Sequence, residues 1–546
     1  MVQGIACGQR GKLNRMQAWL SRLPDRFGWY TALLLFAGVL QAASMAWPLD
    51  VIWQQGTTLW WLQVLALSVF AWVLVQAGSA IQAAWWAWLF SCTGMCATFW
   101  WLFVAMHTYA GLPTWLAAFA VWGLAGPLAL YYAAAAAVFW RCAGFRSMGT
   151  GSPWVVCLVF AACWTMADMA RGIWFTGFGW GVTGYAHVEG ALSVLAPWVG
   201  VYGVGAVAAA IAMALACVAK SEAQPKSRLG AVAIVMLIVV MPLAGSQWSV
   251  STGMLNVALL QGNIAQDEKF EVGSGVPMAL EWYGDRLQKV QADLVVAPET
   301  AIPILPQQLP ENYWAGLRQR FASDDRAALI GIPLGNLKDG YTNSVIGLSG
   351  QHTGVWQYDK HHLVPFGEFI PPFFKWFTEM MNIPLGDFNR GSLGQPSFAV
   401  MGQRLAPNIC YEDLFGEELA QRFLDASTAP TVFVNFSNMG WFGDNVAIHQ
   451  HLHISRMRSL EFERPFVRAT NTGATVFIDH RAQVGAALPH YTRAVLHGTV
   501  EGRSGITPYA WWVARFWLWP LWLLCVAVVF FAWYRLAQAG KAPKRP

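Results

Sequence analysis

Charged residues are scarce in this sequence. Asp, Glu, Lys and Arg make up 12% of the 546 residues, and hydrophobic residues make up 56%. An ordinary soluble domain has roughly 25% charged residues, which argues against a chain that is soluble throughout. The charge is also uneven, because residues 254–503 hold 19 Lys and Arg against 25 Asp and Glu, whereas the remainder holds 16 against 5. A mildly acidic, polar part between apolar, basic segments predicts one water-facing domain within a membrane protein.

Two further absences limit the function classes. No stripe of basic residues runs along the polar part, which argues against nucleic-acid binding. Eight of the nine cysteines lie outside 254–503, so Cys410 has no partner for a disulfide within the polar part. A lone thiol is either a small buried hydrophobe or a reactive group, and its neighbours decide between the two.

Long apolar runs are abundant, and eight of them approach the roughly 20 residues that a helix needs to cross a bilayer. They occupy residues 29–47, 59–78, 83–106, 114–140, 153–169, 191–218, 229–248 and 511–534. With the N-terminus inside, 14 of the 16 Lys and Arg residues outside the polar part fall on the inner side, and Arg171 and Arg515 do not. Basic loops favour the cytoplasmic side, so residues 249–510 are expected outside. Cleavage of the first run as a signal, prompted by small residues at 43–46, leaves them there too.

Within the polar part the pattern changes to short β-type runs separated by turn residues. These runs are 255–260, 293–298, 327–333, 343–349, 403–410, 431–437 and 473–479. Helical stretches intervene, for example at 311–321 and 449–463. Apolar strands that alternate with helices predict an α/β sandwich whose sheets are covered by helices. We expect a membrane domain with seven transmembrane helices at 1–253, a water-facing domain at 254–503, and an eighth transmembrane helix with a basic tail at 504–546.

Three segments of the polar part place a reactive side chain just past an apolar strand, where open α/β folds gather their ligands. Glu299 follows VVAP, Lys360 and Glu368 lie in YDKHHLVPFGEF, and Cys410 ends the run at 403–410. Taken singly, a Glu after a strand is typical of a solvated cap, and a Lys beside two His is typical of a surface cluster. Together they supply a base, a cation and a nucleophile, the minimum set for acyl transfer through a thioester.

The acid–base properties of these groups set the conditions for such a reaction. A free Cys and a free Glu differ by about 4 pKa units, so moving a proton from the thiol to the carboxylate costs about 6 kcal/mol in unperturbed surroundings. A desolvated Glu299 is a stronger base and a nearby Lys360 favours the thiolate, so both narrow this gap. We expect Lys360 to stabilise the oxyanion of the tetrahedral intermediate together with the backbone N–H of Tyr411. Either Glu368 or Glu412 holds Lys360 in place.

These segments resemble a known family. PETAIP, KHHLVPFGE and ICYE resemble the motifs of the nitrilase superfamily, and with flanking membrane helices they resemble its membrane branch, the apolipoprotein N-acyltransferases. The resemblance runs over most of the chain and includes RG at 171–172, YTNS at 341–344 and the stretch at 435–475. It implies a multi-pass α-helical membrane bundle of about eight transmembrane helices beside a nitrilase-like αββα sandwich.

The resemblance also implies roles for particular residues. Glu299 is the implied general base, Lys360 the stabiliser of the intermediate, and Cys410 the nucleophile. The implied supporting residues are Glu368, Tyr411, Glu412 and Asn343. No cofactor and no metal ion is expected.

The implied reaction moves a fatty acyl chain from a phospholipid to Cys410, and then to the free α-amino group of the diacylglyceryl cysteine of a lipoprotein. The implied location is the bacterial inner membrane, with the catalytic domain in the periplasm and the protein acting as a monomer. Residues 369–381 give independent support for a lipid substrate, because they are rich in Phe and Met and hold few charges. Such a run predicts either a lid that dips into lipid or a buried segment of the core.

Two other groups of polar residues are candidates for sites. His449, His451 and His453 have the spacing of ligands on a helix, but no carboxylate or Cys close by in the sequence completes a metal site, so they are predicted to lie on a helix surface. Asp168 and Arg171 are predicted to form an intramembrane pair that is either functional or structural.

Two alternative functions stay open, one a second enzyme and one from another class. A membrane-tethered amidase or nitrilase would use the same residues and hydrolyse its thioester. A transporter with an accessory domain would account for the apolar runs, but these runs hold few ionisable residues, and transport paths usually need such groups.

Overall fold

The computed structural model describes residues 23–143, 153–220, 247–323, 325–352, 354–370 and 388–539. The helices of the first half are α1 (Leu23–Met45), α2 (Trp60–Leu74), α3 (Ala80–Thr98), α4 (Leu102–Val104, continued by a π-helical turn at Ala105–Tyr109), α5 (Thr114–Cys142), α6 (Pro153–Ile173) and α7 (Ala196–Lys220). The later helices are α8 (Gly275–Lys289), α9 (Glu311–Arg320), α10 (Gly416–Leu419), α11 (Val446–Phe462), α12 (Pro508–Phe516) and α13 (Trp519–Ala539).

Twelve strands lie among the described residues. They are β1 (Ser249–Gln261), β2 (Leu294–Ala297), β3 (Ala327–Asn336), β4 (Gly340–Ser349), β5 (Trp356–Asp359), β6 (Phe398–Val400), β7 (Gln403–Ile409), β8 (Val432–Ser437), β9 (Phe466–Thr470), β10 (Val476–Ile478), β11 (Val484–Ala487) and β12 (Ala494–Gly505). All seven predicted β-type runs contain a strand, and the two predicted helical stretches are α9 and α11. Strands β5, β6, β9, β11 and β12 were not predicted.

Five described helical segments are long and apolar enough to cross a membrane, which confirms a membrane bundle. They are Phe27–Met45, Thr114–Cys142, Trp154–Thr176, Ala191–Ala219 and Trp519–Gln538. A sixth span results if α3 and the segment Leu102–Tyr109, which meet at 61°, are counted as one. Pro127 lies inside α5 without ending it, as expected where neighbouring helices surround the freed carbonyl.

The described spans differ in three places from the predicted ones. The predicted run at 83–106 is broken after α3, where the chain bends by 61°. α2 has 15 residues, fewer than the roughly 20 needed to cross a bilayer, since the chain turns before Ser79 caps α3. The run at 511–534 is interrupted at Trp517, whose φ is +51°, so its first residues belong to α12 and the span begins at Trp519. The predicted span at 229–248 lies almost wholly outside the described residues.

Two six-stranded sheets form the core of the second half. The first has the order β12-β1-β2-β3-β4-β5 and the second β11-β10-β9-β8-β7-β6. Strands β1, β2 and β3 are parallel in the first sheet, and β7, β8 and β9 in the second. Parallel strands end at the same edge of their sheet. The ends of the two sheets meet, because Asn438, just past β8, donates its backbone N–H to Glu299, just past β2.

The alternation of side chains explains why the sheets stack. Val257 and Leu259 of β1 face the second sheet in one apolar cluster, whereas Ala258 and Leu260 face α8 and α9 in another. The outer face of the second sheet packs on α11, and Phe433 there belongs to the same apolar cluster as the membrane bundle. The result is an αββα sandwich with one outer layer shared with the bundle, which confirms the predicted fold class.

The helix α11 joins the sandwich to the bundle through polar contacts. The side-chain oxygen of Gln450 accepts hydrogen bonds from the indoles of Trp101 at 3.0 Å and Trp180 at 2.8 Å. The carboxylate of Glu461 accepts a hydrogen bond from the backbone N–H of Val201 at 2.6 Å. Buried polar groups that are satisfied across an interface fix one arrangement of the two halves.

The predicted pair Asp168 and Arg171 is buried at the end of α6 and is bridged by a third residue. The hydroxyl of Tyr132 donates to Asp168, and Arg171 donates to that hydroxyl at 3.0 Å. Arg171 also donates to the carbonyls of Phe178 at 2.9 Å and Trp180 at 2.7 Å. The arginine thus holds the loop that carries the Trp180 indole to α11, which favours the structural interpretation of the pair.

Candidate active site

Glu299 lies two residues beyond the end of β2 and points at a set of donors. One carboxylate oxygen accepts from the side-chain amide of Asn343 at 2.8 Å, and the other accepts from the backbone N–H of Asn438 at 3.0 Å. The ammonium of Lys360 is 3.7 Å from the first oxygen. The residue is 9% exposed. A carboxylate held by two fixed donors in a buried site is ready to accept a proton from a defined direction.

Lys360 is the residue that directly follows β5, and its side chain is 1% exposed. Its ammonium donates to Glu368 at 2.9 Å, and the amide of Asn343 donates to the same carboxylate at 2.8 Å. Burial lowers the pKa of Lys360, but the carboxylates of Glu368 and Glu299 outweigh this, and its pKa ends well above the ordinary value. Lys360 is therefore a permanent cation, and Glu368 is the carboxylate that holds it.

Cys410 directly follows β7 and has a φ of +55°, a left-handed conformation that L residues rarely adopt. This turns the chain sharply into the 3₁₀ helix Cys410–Leu414. The Cys410 carbonyl accepts from the side-chain amide of Asn435 at 2.9 Å and lies 3.2 Å from Nε2 of His451. Strained residues cluster at functional sites and persist where surrounding contacts hold them. Here Asn435 and His451 hold the Cys410 carbonyl.

The thiol of Cys410 interacts with the charges of Glu299 and Lys360, so the three predicted side chains meet at the ends of the two sheets. Burial and the Glu299 carboxylate raise the pKa of Cys410 well above its usual value, and Lys360 opposes them. The resting group is therefore a neutral thiol that needs a base before it can act as a nucleophile. The arrangement brings a buried base, a buried cation and a half-buried nucleophile together. That they carry the reaction stays a prediction.

Glu412 and Tyr411 connect the Cys410 turn to the Lys360 segment. The Glu412 carboxylate accepts from the backbone N–H groups of Ile409 at 2.6 Å and His361 at 2.7 Å, and from the hydroxyl of Tyr358 at 2.8 Å. It does not contact Lys360, so of the two predicted alternatives Glu368 alone holds the ammonium. The backbone N–H of Tyr411 is in the first turn of its helix, where N–H groups lack partners within the helix.

A buried network behind Cys410 corrects the prediction for the histidines. α11 is buried, with His451 fully so, because it lies between the second sheet and the bundle. Nε2 of His451 is 3.0 Å from Asp413, and Nδ1 is 3.0 Å from the guanidinium of Arg468. Since Arg468 can only donate, Nδ1 accepts, and the ring is neutral with its proton on Nε2. Burial lowers the pKa of His451, which agrees with a neutral ring.

Removing the charge of Asp413 is expected to destabilise the protein. Asp413 is fully buried and pairs with Arg468 at 3.1 Å, so Asp413→Asn leaves a buried guanidinium without its counter-charge. Breaking one side of a buried pair costs about 3–5 kcal/mol. Unfolding in detergent measures this loss, with the exposed Asp425→Asn as control. An Asp413→Asn protein as stable as the control would contradict the structural role.

Stability is also expected to depend on pH through Glu417, which is 4% exposed where α10 meets the bundle. Burial raises the pKa of Glu417 to about 7. A carboxyl with a raised pKa binds its proton more tightly when folded, so stability falls as pH rises from about 4.5 to 7 and stays reduced above that range, by at most about 3 kcal/mol. Glu417→Gln should therefore raise the unfolding temperature more at pH 8 than at pH 5; an equal gain at both pH values would contradict this.

Some residues around the site were not predicted from the sequence. Asn435 and Asn438 lie in the stretch at 435–475 that carries the family resemblance, but no role was assigned to them. Lys269 is 2% exposed and donates to the backbone carbonyl of Glu299 at 3.0 Å. It follows Asp267 and Glu268, and three consecutive charged residues are typical of an exposed segment. The sequence therefore did not indicate that Lys269 is buried.

Both halves of the chain match known family models. Residues 37–214 match the family model of the apolipoprotein N-acyltransferase N-terminal domain, and residues 256–507 match that of the carbon-nitrogen hydrolases. Among solved structures, a carbon-nitrogen hydrolase from Helicobacter pylori G27 has 16% identity and a TM-score of 0.34, covering 50% of this chain and 94% of its own.

Relatives similar over nearly the full length are apolipoprotein N-acyltransferases. The enzyme of Verminephrobacter eiseniae (strain EF01-2) is 52% identical over 522 residues, covering 91% of this chain and 95% of its own. That of Ralstonia nicotianae (strain ATCC BAA-1114 / GMI1000) is 43% identical, covering 82% and 85%. With both halves matched and relatives of this identity covering most of its length, the chain belongs to the apolipoprotein N-acyltransferase family.

Proposed function

We propose that this membrane enzyme transfers a fatty acyl chain from a phospholipid to Cys410 as a thioester, and then to the α-amino group of the diacylglyceryl cysteine of a lipoprotein. The observation that carries the proposal is the convergence of a half-buried Cys410 with the buried Glu299 and Lys360 beside a membrane bundle. Two acyl transfers through one nucleophile require a base that takes and returns a proton and a fixed cation for the oxyanion.

In the first transfer, Glu299 takes the thiol proton of Cys410 as sulfur attacks the ester carbonyl of the phospholipid. The oxyanion of the tetrahedral intermediate is stabilised by Lys360 and the backbone N–H of Tyr411. The carbon–oxygen bond to the glycerol then breaks, and Glu299 returns its proton to the departing alkoxide. The products are the acylated Cys410 and a lysophospholipid.

In the second transfer, Glu299 removes a proton from the α-amine of the lipoprotein as nitrogen attacks the thioester. The carbon–sulfur bond breaks, and the proton returns to the sulfur of Cys410. Asn343 supports both transfers because its amide bonds Glu299 and Glu368 together, each at 2.8 Å. Glu412 supports them by tying the Cys410 turn to the loop after Lys360.

The proposed location is the bacterial inner membrane, with residues 254–503 in the periplasm and the membrane domain at 1–253 completed by a last helix at 504–546. The support is the distribution of Lys and Arg, because basic N-terminal and C-terminal arms favour the inner side. A monomer suffices, because one chain supplies base, cation and nucleophile. The segment at 369–381, proposed as lid or core, lies mostly outside the described residues.

Mass spectrometry of the purified protein tests the function. After incubation with phosphatidylethanolamine in detergent, we expect one fatty acyl adduct on the Cys410 peptide that persists in water. A synthetic diacylglyceryl-cysteine peptide with a free α-amine should discharge it and gain the acyl chain. Rapid release of free fatty acid without the peptide would favour the amidase or nitrilase alternative. No adduct under any condition would contradict the thioester.

A further inference from the structure

Lys269 is a second buried ammonium at the base of the site. It lies in the turn after β1, and its hydrogen bond to the Glu299 carbonyl at 3.0 Å is the one that it makes among the described residues. Its charge interacts with the Glu299 carboxylate and with the Cys410 sulfur. Burial lowers the pKa of Lys269 to about 8, with Glu299 and Cys410 acting in the opposite direction.

Burial of this ammonium has to be compensated by charge. Moving an ammonium out of water costs several kcal/mol, and one bond to a neutral carbonyl does not offset that. Glu299 and Glu368 bring two negative charges to the site and Lys360 one positive charge, so the site without Lys269 has an excess negative charge. Lys269 balances it on the side of Glu299 and Cys410.

This position matters for the proton transfer that opens the reaction. The S–H bond of Cys410 breaks, the proton goes to Glu299, and the negative charge moves from the carboxylate to sulfur. Lys360 is anchored by Glu368 at 2.9 Å and is shared with that carboxylate. Lys269 has no carboxylate in hydrogen-bond contact among the described residues, and it interacts with the charge both before and after the transfer.

We infer that Lys269 is a positioning residue of the active site, one that fixes the Glu299 segment by its carbonyl and stabilises the negative charge as it moves between Glu299 and Cys410. The inference rests on the proposed function, because that charge movement is the first step of thioester formation. A purely structural lysine, needed for the turn alone, is the competing explanation.

Three substitutions separate charge from hydrogen bonding. Lys269→Gln keeps a donor for the Glu299 carbonyl but removes the charge, Lys269→Met removes both, and Lys269→Arg keeps both. Lys338→Met, at an exposed lysine on the sandwich, is the matched control. Thermal unfolding in detergent reports whether each variant is folded. Alkylation of the Cys410 peptide by iodoacetamide reports thiolate formation and needs no lipid or lipoprotein substrate.

The pH profile of alkylation gives the decisive result. An opposite charge nearby shifts a pKa by about one unit or more, so Lys269→Gln and Lys269→Met should alkylate about tenfold more slowly than the wild type at neutral pH. The difference in alkylation rate should narrow as pH rises above about 9. Wild-type Lys269 has then lost its own proton and is uncharged, as the two variants are at every pH. Lys269→Arg should stay near the wild type. Acylation of Cys410 from phosphatidylethanolamine should fall by a similar factor.

Other results would overturn the inference. Lys269→Gln with wild-type alkylation at neutral pH would show that the charge has no role, even if Lys269→Met unfolds. A rate lowered by the same factor at every pH would indicate misplacement of the segment instead of charge loss. Failure of the proposed function is distinguishable, because a wild-type protein that never acquires an acyl adduct still gives the alkylation profile.

Discussion

Replacing Cys410 by Ala is expected to lower the rate of N-acylation by about 10⁴-fold or more, since it removes the nucleophile on which both transfers depend. The fold should be retained, because the contacts that hold the turn are made by the Cys410 carbonyl with Asn435 and His451, not by sulfur. The left-handed φ of +55° is no less accessible to Ala than to Cys. Lipopeptide acylation and mass spectrometry of the protein measure the two effects.

The control for this substitution is a thiol elsewhere in the chain. Cys525 is buried in α13, and Cys525→Ala should leave N-acylation unchanged. Cys410→Ser tests whether sulfur is required. A hydroxyl in the same position is a weaker nucleophile and should trap little or no acyl chain. A Cys410→Ala protein that still transfers acyl chains would show that the thioester is not on the reaction path.

Replacing Glu299 by Gln is expected to lower the rate by about 10²–10⁴-fold, the usual contribution of a positioned base. Gln has the same shape and its oxygen still accepts a hydrogen bond from Asn343. Its NH2 group replaces the oxygen that accepts from the backbone N–H of Asn438, so one bond is lost and thermal unfolding has to show that the variant is folded. The loss should fall on formation of the acyl adduct as well as on its discharge, because the base serves both transfers. Glu311→Gln, at an exposed position on α9, is the control.

The pH dependence of this variant distinguishes a base from a structural carboxylate. Without Glu299, sulfur must ionise unaided, and burial holds the pKa of Cys410 above its usual value. The residual activity of Glu299→Gln should therefore rise about tenfold per pH unit through the neutral range, as the thiolate fraction does. Residual activity that is flat with pH would contradict the assignment of Glu299 as the base.

The sequence predicts this site where chemistry follows directly on a strand. Glu299, Lys360 and Cys410 each stand within two residues of a strand end, and the β-type runs that precede Glu299 and Cys410 were visible in the sequence. A strand was also expected before Lys360, but β5 was not among the predicted β-type runs, because WQYD has neither the length nor the apolar alternation of the others. Lys360 was instead identified by the segment that begins with it, KHHLVPFGE, which carries the family resemblance.

The rest depends on partners that are remote in the chain. α11 contains three His and two Arg and has the composition of a surface helix, yet it is buried because Asp413, 38 residues before His451, satisfies its polar groups. Lys269 meets Glu299 thirty residues later. Sequence patterns report local preference, and neither contact is local.

The double use of α11 limits how the protein can be divided. Cutting the chain before β1 and after β12 to obtain a water-soluble fragment would strip the bundle from one face of this helix and leave Gln450 and Glu461 without Trp101, Trp180 and Val201. The same helix supports the backbone of Cys410 through His451. An excised fragment should therefore aggregate, or Cys410 should lose its alignment. The membrane domain thus supports the structure of the active site in addition to holding the protein in the lipid.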